Sequence, residues 1–356
     1  MAFLNLYRNK LRDNFEFLRG KFREHEVAWG VVSKMLCGNR SYIKELIDMG
    51  ADEIHDSRIS NLAKVKETNP NVQTVYIKPP SKRNLSDMVK YADVSLNSEL
   101  NTIRWISEEA VRQNKKHKII IMVETGDLRE GVMGDHLIDF YSKIFELPNL
   151  EIIGLGTNLN CLNGVMPSAD KLIQLSLYKQ IIELKFNKKI PWVSAGTSVT
   201  IPLMLHKQLP KGVNHFRVGE TLYFGVDLFE EKTIEGMHGN VFELFAEIIE
   251  MQEKPLLPMG NLSSNPQGEV ASIDESLYGK SSFRAILDIG LLDVDPKYLI
   301  AEEGEFEILG ASSDMLILNL GENPKKYKVG DLIKFNLKYM GALAVLNSSY
   351  IEKRVV

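Results

Sequence analysis

Between residues 28 and 225 the chain alternates, eight times over, short β-branched runs with longer segments of helical periodicity. Such alternation reads as successive βα units, because a period of two buries a strand and a period of 3.6 buries one face of a covering helix. The strand candidates are 29–32, 53–55, 72–77, 94–96, 118–123, 152–155, 190–193 and 215–217. Clear helix candidates follow at 42–49, at 98–112 with Ile103, Ile106 and Val111, and at 169–184 with Leu172, Ile173, Leu175, Leu177 and Ile181. Eight parallel strands with outer helices close a (β/α)8 TIM-type barrel, whose chemistry sits at the C-terminal ends of the strands.

After Gly225 the pattern changes. The runs 241–252, 283–289, 306–309, 315–318 and 331–337 are strand-like and separated by Gly, Pro and Asn turns, which predicts a C-terminal all-β domain. The polar stretch 260–269 reads as a surface loop between two of these strands. The expected organisation is a strand within residues 1–10 that joins the β domain, a barrel over 11–230 and a β domain over 231–356.

Charge and hydropathy narrow the function classes. A net charge of −4 provides no field for a phosphate backbone, so neither a nucleic acid nor a membrane surface is an expected partner. Apolar stretches such as 119–123 and 343–346 are far shorter than the roughly 20 residues of a spanning helix. The N-terminal order, apolar residues before charges, is the reverse of a signal peptide, and Cys37 and Cys161 make no disulfide framework. A reducing, cytoplasmic setting is expected.

At the strand ends, VVSKMLCGN (31–39) places Lys34 at the rim directly after the first barrel strand. Desolvation there lowers an amine's pKa toward neutrality and fits it for a Schiff base; a solvated loop lysine is the ordinary alternative. ETGDLREG (124–131), GLGTNLNC (154–161), VSAGTSVT (193–200) and FRVGETLYFG (216–225) follow the fifth to eighth strands. In SAGTS and RVGE the small residues, the Ser198 hydroxyl and Gly219 suit a phosphate, which βα barrels hold after strands seven and eight. Arg129 and Arg217 standing alone would read as structural ion pairs.

The order of these segments resembles the alanine racemase superfamily of pyridoxal-phosphate enzymes, of fold type III. Within it the chain is most similar to the ornithine racemase branch. The matching segments are VVSKMLCGN, DSRISNL (56–62), NSEL (97–100), GDLREG (126–131), NLNC (158–161), RVGE (217–220) and ILGASSD (308–314), spread over nearly the whole chain. The resemblance implies that Lys34 carries pyridoxal 5'-phosphate as a Schiff base and returns a proton to one face of the substrate Cα. Ser198 with the Gly219 and Glu220 backbone would bind phosphate. Arg217 would face the pyridine nitrogen and keep it unprotonated. Arg129 would lie beside the phenolate oxygen, and Asn158 stands where alanine racemases carry a histidine.

Two departures bear on the substrate. RAILDIGLLDVDP (284–296) has Leu291 where alanine racemases present a tyrosine to the partner subunit, and Gly38 replaces a phosphate-binding tyrosine. Racemisation needs an acid/base on each face of Cα. For the second face Asp314 is the candidate, the alternative being a turn-forming aspartate; Asp293 and Asp295 lie in the segment that would otherwise deliver the tyrosine, so they too could approach the substrate, and Cys161 is a weaker candidate base that reads first as a buried structural thiol. An acidic cluster suits the distal ammonium of a diamino acid such as ornithine or lysine. The resemblance thus implies an amino-acid racemase for a diamino acid, assembled as a homodimer with its sites at the subunit interface.

Three other readings compete: an alanine or broad-specificity racemase, a metal-assisted aldolase or dehydratase, and a non-catalytic cofactor carrier. The chain has no His after His238 and no Cys after Cys161, so the β domain lacks the ligands zinc favours, and no metal is expected. The carriers of this class are barrels alone, whereas about 130 residues follow Gly225 here.

Overall fold

The computed structural model describes residues 2–264, 268, 270, 273–301 and 306–356, and the chain divides into two compact units, Tyr7–Val241 and a second made of the residues up to Leu6 with Phe242–Arg354. In the first, eight parallel strands form a closed barrel: β2 (Ala28–Val32), β3 (Glu53–Asp56), β4 (Gln73–Tyr76), β5 (Val94–Asn97), β6 (His117–Met122), β7 (Leu150–Gly156), β8 (Trp192–Thr197) and β9 (His215–Val218). Closure is the parallel pairing of β2 with β9, in register from Ala28 opposite His215 to Val31 opposite Val218. β3, β5 and β9 are buried at every position, as strands enclosed on both faces must be. All eight expected strands are present, shifted by at most a few residues at their ends.

The helices are α1 (Arg8–Glu24), α2 (Arg40–Asp48), α3 (Ile59–Thr68), α4 (Leu85–Tyr91), α5 (Leu100–Arg112), α6 (Leu137–Ile144), α7 (Ala169–Phe186), α8 (Ile201–Leu205) and α9 (Glu220–Phe224). α5 starts where the Glu99 side chain accepts the Thr102 N–H, and it buries Ile103, Ile106 and Ala110. Val111 is exposed, because it falls on the opposite side of the helix. α7 departs more: Leu172, Leu175 and Ile182 are buried, but Ile173, Leu177 and Ile181 form an exposed stripe at helical spacing. The hairpin β10 (Val226–Asp227) and β11 (Lys232–Thr233) completes this unit.

The second unit is an antiparallel sheet. β1 (Phe3–Leu6) pairs with β12 (Phe242–Pro255), and the sheet continues through β13 (Ser281–Leu287), β14 (Leu299–Ile300), β15 (Glu307–Ala311), β16 (Leu316–Asn319) and β17 (Leu332–Leu337); β18 (Glu352–Val355) lies against β1. The expected strands are all found. The all-β expectation is qualified by α10 (Tyr339–Asn347), a helix whose apolar residues include the run 343–346. Its composition, Ala and Leu with one Gly, is helical in preference despite an apolar pattern with no clear period. Of the loop expected at 260–269, residues 265–267 and 269 lie outside the described residues. Among the described residues no helix is long and apolar enough to cross a membrane.

Candidate active site

Lys34 begins a 3-10 turn (Lys34–Leu36) directly after β2. Its backbone is tied down on both sides. Ser33 gives its N–H to the His55 carbonyl at 2.8 Å and its hydroxyl to Asp56 Oδ2 at 2.8 Å, and the Tyr223 hydroxyl donates to the Val32 carbonyl at 3.2 Å. Asp56 also accepts the Arg58 N–H and the Asn61 amide. Burial pushes this carboxyl up, against the pull of those donors. Gly38 closes the turn at φ +70, and a Cβ there would collide with Asn61, so no tyrosine could occupy this backbone without rearrangement. The Lys34 side chain itself is exposed, so the desolvation expected at this position is not provided by the barrel unit.

The turns after β8 and β9 meet at one atom. Ser198 Oγ accepts the N–H of Gly219 at 3.3 Å and of Thr221 at 3.2 Å, with Thr197 and Thr200 forming a capping box around it. Gly219 packs against the Val32 side chain, which a Cβ would approach to 3.2 Å. Glu220 is half-buried; burial raises its carboxyl, and the Lys34 ammonium opposes that rise. Lys34, Ser198, Gly219 and Glu220 are thus gathered at the strand ends, where a phosphate would find a hydroxyl and turn N–H groups.

Arg217, on β9, is buried below them. Nη1 donates to the Ser194 carbonyl and to the Ser194 hydroxyl, both at 2.6 Å, and Nη2 donates to the Thr157 carbonyl at 2.6 Å. Burial lowers its pKa to about 10, with Glu130 opposing and Arg129 adding to the fall, so the guanidinium stays charged at neutral pH. Thr157 precedes Asn158, which is half-buried.

Arg129 lies in the loop after β6. It pairs with the adjacent Glu130 carboxylate, which with the Cys161 sulfur raises its already high pKa against desolvation, and its Nη1 donates to Cys161 Sγ. Cys161 is exposed, which corrects its reading as a buried thiol. The reason is Asp127, whose carboxylate accepts the N–H groups of Leu162, Asn163 and Val165 at 2.9, 3.1 and 3.3 Å, and whose carbonyl accepts the Asn163 amide. This clamp holds the loop after β7 against the loop after β6, with Cys161 on its outer side.

In the β unit, Asp314 stands at the exposed turn between β15 and β16 and accepts the Ser313 hydroxyl at 2.8 Å. The Leu291 and Leu292 N–H groups donate to the Ser312 and Ser313 carbonyls, both at 2.9 Å, so Asp314 and the position of the missing tyrosine are neighbours on this unit. The other two aspartates are occupied locally. Asp293 accepts the Ser348 hydroxyl at 2.7 Å, and Asp295 caps its turn through the Lys297 N–H at 3.1 Å.

Ser194, Thr157, Asp56 and Asp127 hold these groups but were not singled out from sequence. The available signal was a polar residue at an inward position of an otherwise apolar strand, as with Ser194.

The donor set fits pyridoxal 5'-phosphate. The Ser198 hydroxyl with the Gly219 turn suits a phosphate, the buried Arg217 suits a ring nitrogen that only accepts, and Lys34 supplies an amine at the same rim.

The family described as "Alanine racemase, N-terminal domain" matches residues 7–227. Ornithine racemase of Acetoanaerobium sticklandii is 38% identical over 349 residues, covering 98% of each chain. Lysine racemase of Thermotoga maritima is 29% identical over 323 residues, 90% of this chain and 89% of that one. Among solved structures, alanine racemase from Bartonella henselae with covalently bound pyridoxal phosphate superposes with a TM-score of 0.75 at 16% identity, covering 100% of this chain and 99% of the other. Alanine racemase of Clostridium difficile 630 gives a TM-score of 0.72 at 13% identity, with coverage of 100% and 95%.

Proposed function

The chain belongs to the alanine racemase family and is an amino-acid racemase, and from that premise we propose that it interconverts L- and D-ornithine with pyridoxal 5'-phosphate, lysine being the next substrate in preference. The observation that carries the substrate is the 38% identity to an ornithine racemase along 98% of both chains. Asp314 beside Leu291 supports it: where alanine racemases present a phenol, this chain presents a leucine next to a carboxylate.

Pyridoxal phosphate, when bound, supplies an electron sink that acidifies the Cα–H of an attached amino acid. The chain's residues do the rest. Lys34 would hold the cofactor at Nζ and carry a proton on one face of Cα. Ser198 and the Gly219–Glu220 turn would hold the phosphate, with Arg129 and Asn158 toward the ring. Arg217 would offer its guanidinium to a ring nitrogen that only accepts, which would limit the sink and disfavour transamination. Asp314 of the partner subunit carries the proton on the other face, in a homodimer with two sites at the interface. Cys37 and Cys161, which form no disulfide, suit a cytoplasmic setting.

The test is deuterium wash-in at Cα in heavy water for L-ornithine, L-lysine and L-alanine, following the enantiomer ratio, with wild type and Lys34→Ala side by side. Exchange with inversion, fastest on ornithine and absent from Lys34→Ala, supports the reading. Faster reaction with alanine replaces the substrate. No exchange by a cofactor-loaded protein sinks the racemase chemistry in favour of a carrier.

A further inference from the structure

Below Arg217 the barrel interior is polar. Glu53 Oε1 accepts the Nε2–H of His55 at 2.5 Å and of His215 at 2.8 Å, and Oε2 accepts the Gln73 amide at 2.6 Å. The second ring nitrogen of His215, Nδ1, lies 2.7 Å from the Ser194 hydroxyl, the same oxygen that receives Arg217 Nη1. Arg217, Ser194, His215 and Glu53 are all buried. Glycine at position 30 makes the room: a Cβ there would lie 2.5 Å from Glu53 Oε1 and closer still to His55 Nε2.

Hydrogen-bond chemistry fixes where the protons lie. A guanidinium only donates, so Ser194 Oγ accepts from Arg217 and turns its own proton toward His215 Nδ1. Burial drives the Glu53 carboxyl up, but the bonds from His215 and His55 outweigh it and hold the group ionised. An ionised carboxylate only accepts, so His215 carries its proton on Nε2. A neutral Nε2–H imidazole therefore satisfies every atom from Glu53 to Arg217. A doubly protonated ring would leave the Ser194 proton with no acceptor on this path.

We propose that Ser194, His215 and Glu53 form a relay of positioning residues that links a buried carboxylate to Arg217 and fixes the direction in which its guanidinium meets the cofactor ring. The proposal rests on the role given to Arg217 above. Arg217 itself meets three neutral acceptors, so the hydrogen-bonded path from Glu53 to it runs through His215 and Ser194; through space Glu53 and Glu130 favour the charged guanidinium and Arg129 opposes it. A cavity of about 390 Å³ at the other end of the barrel, lined by Trp29, Asp52, Glu53 and Gln73 among others, reaches the carboxylate from below. Trp192 stacks on the His215 ring at 4.1 Å and holds its plane.

Glu53, His55 and His215 also place donor atoms within 4.8 Å of one another, the makings of a metal site. The geometry favours the relay. Ligands about 2.0–2.1 Å from a tetrahedral zinc lie roughly 3.3 Å apart, whereas these oxygen–nitrogen separations are 2.5 and 2.8 Å. His55 Nδ1, which would orient a ligating ring, has no acceptor.

The test uses the holoenzyme labelled with 15N-histidine, and Ser194→Ala, Ser194→Thr and Glu53→Gln. The ring shifts of His215 should show a neutral Nε2–H tautomer in wild type, with or without cofactor. In Ser194→Ala and Glu53→Gln the fraction of turnovers that end in transamination, leaving pyridoxamine phosphate, should rise roughly tenfold or more. KM should change less than the partition does, and the hydroxyl of Ser194→Thr should restore the wild-type partition. An Nδ1–H or doubly protonated His215, or variants that lose thermal stability and cofactor content with the partition unchanged, overturns the relay. So does a stoichiometric metal in purified wild type that His55→Gln releases. If wild type racemises nothing, the functional reading fails, and the tautomer alone then judges the hydrogen-bond path.

Discussion

The Ser198 hydroxyl receives the backbone N–H of Thr221 at 3.2 Å, so the turns that end two neighbouring barrel strands are joined through one side-chain oxygen. Removing it in Ser198→Ala leaves turn N–H groups without their acceptor and a phosphate without a donor. Cofactor affinity, measured by absorbance titration of the resolved protein, should fall about tenfold. Unchanged affinity would place the phosphate elsewhere.

Acid should destabilise the barrel through His117, which is buried on β6 with its Nε2 at 2.8 Å from the Ser95 hydroxyl. Burial lowers its pKa to about 4, with Asp93 pulling up and Lys115 pushing down. Above an unfolded value of about 6.5 the ring is neutral in both states; below it only the unfolded chain binds the proton. Stability is therefore fully present above pH 6.5 and is lost as pH falls toward 4, by about 3 kcal/mol in all. His117→Gln lacks this slope, so thermal unfolding curves of the two proteins should converge on acidification. Parallel curves would show that the ring is not kept neutral.

Gly30→Ala should cost about 1–3 kcal/mol in urea unfolding, because the new methyl meets the Glu53 carboxylate and the His55 ring in a packed interior. Gly20→Ala is the control. Nothing lies within 4 Å of a Cβ there, and in the middle of α1 alanine should stabilise by about 0.5–1 kcal/mol. Equal effects at the two positions would refute the crowding at residue 30.

Asp127→Asn turns one carboxylate oxygen into an amide that faces backbone donors. Hydrogen exchange of the Leu162, Asn163 and Val165 amides should accelerate about tenfold. Alkylation of Cys161 should change with it, since the clamp sets where that thiol stands. Exchange at the wild-type rate would mean the loop is ordered by other contacts.

Asp314→Asn should lower racemisation by about 10²- to 10⁴-fold, the range for a lost general acid/base. Cα exchange without inversion should persist from the Lys34 face. Sedimentation should show a dimer for wild type and variant alike; a monomer that keeps full activity contradicts a shared site, and a fully active Asp314→Asn returns the residue to its role as a turn former.

What could be read in the sequence was what repeats or clusters along it. The barrel strands were legible because burial on both faces makes them short apolar runs, and Lys34, Ser198 and Gly219 because the fold puts its chemistry after such runs. Glu53, Ser194 and His215 were not, since each is a single polar residue whose partner lies on another strand, and only barrel closure brings them within hydrogen-bond reach. The outward stripe of α7 was not legible, because a helix apolar on two sides has no single phase and the exposed Ile173, Leu177 and Ile181 look in sequence like the buried Leu172 and Leu175. Leu291 and Asp314 belong to distant segments, and their adjacency follows from backbone hydrogen bonds with no pattern in either segment.

β1 pairs with β12 from Phe3 opposite Phe245 to Leu6 opposite Phe242, and the whole barrel unit lies between them in the chain. On the ribosome, then, β1 is made long before the strand it pairs with. At about 5–20 residues per second, Phe3–Leu6 waits roughly 10–50 s for its partner to emerge. During that time Leu4 and Leu6, fully buried in the finished sheet, are sticky and unprotected. Vectorial synthesis thus leaves β1, separated from β12 by the whole barrel, as an unpaired strand edge that another chain could pair with until its own partner is made.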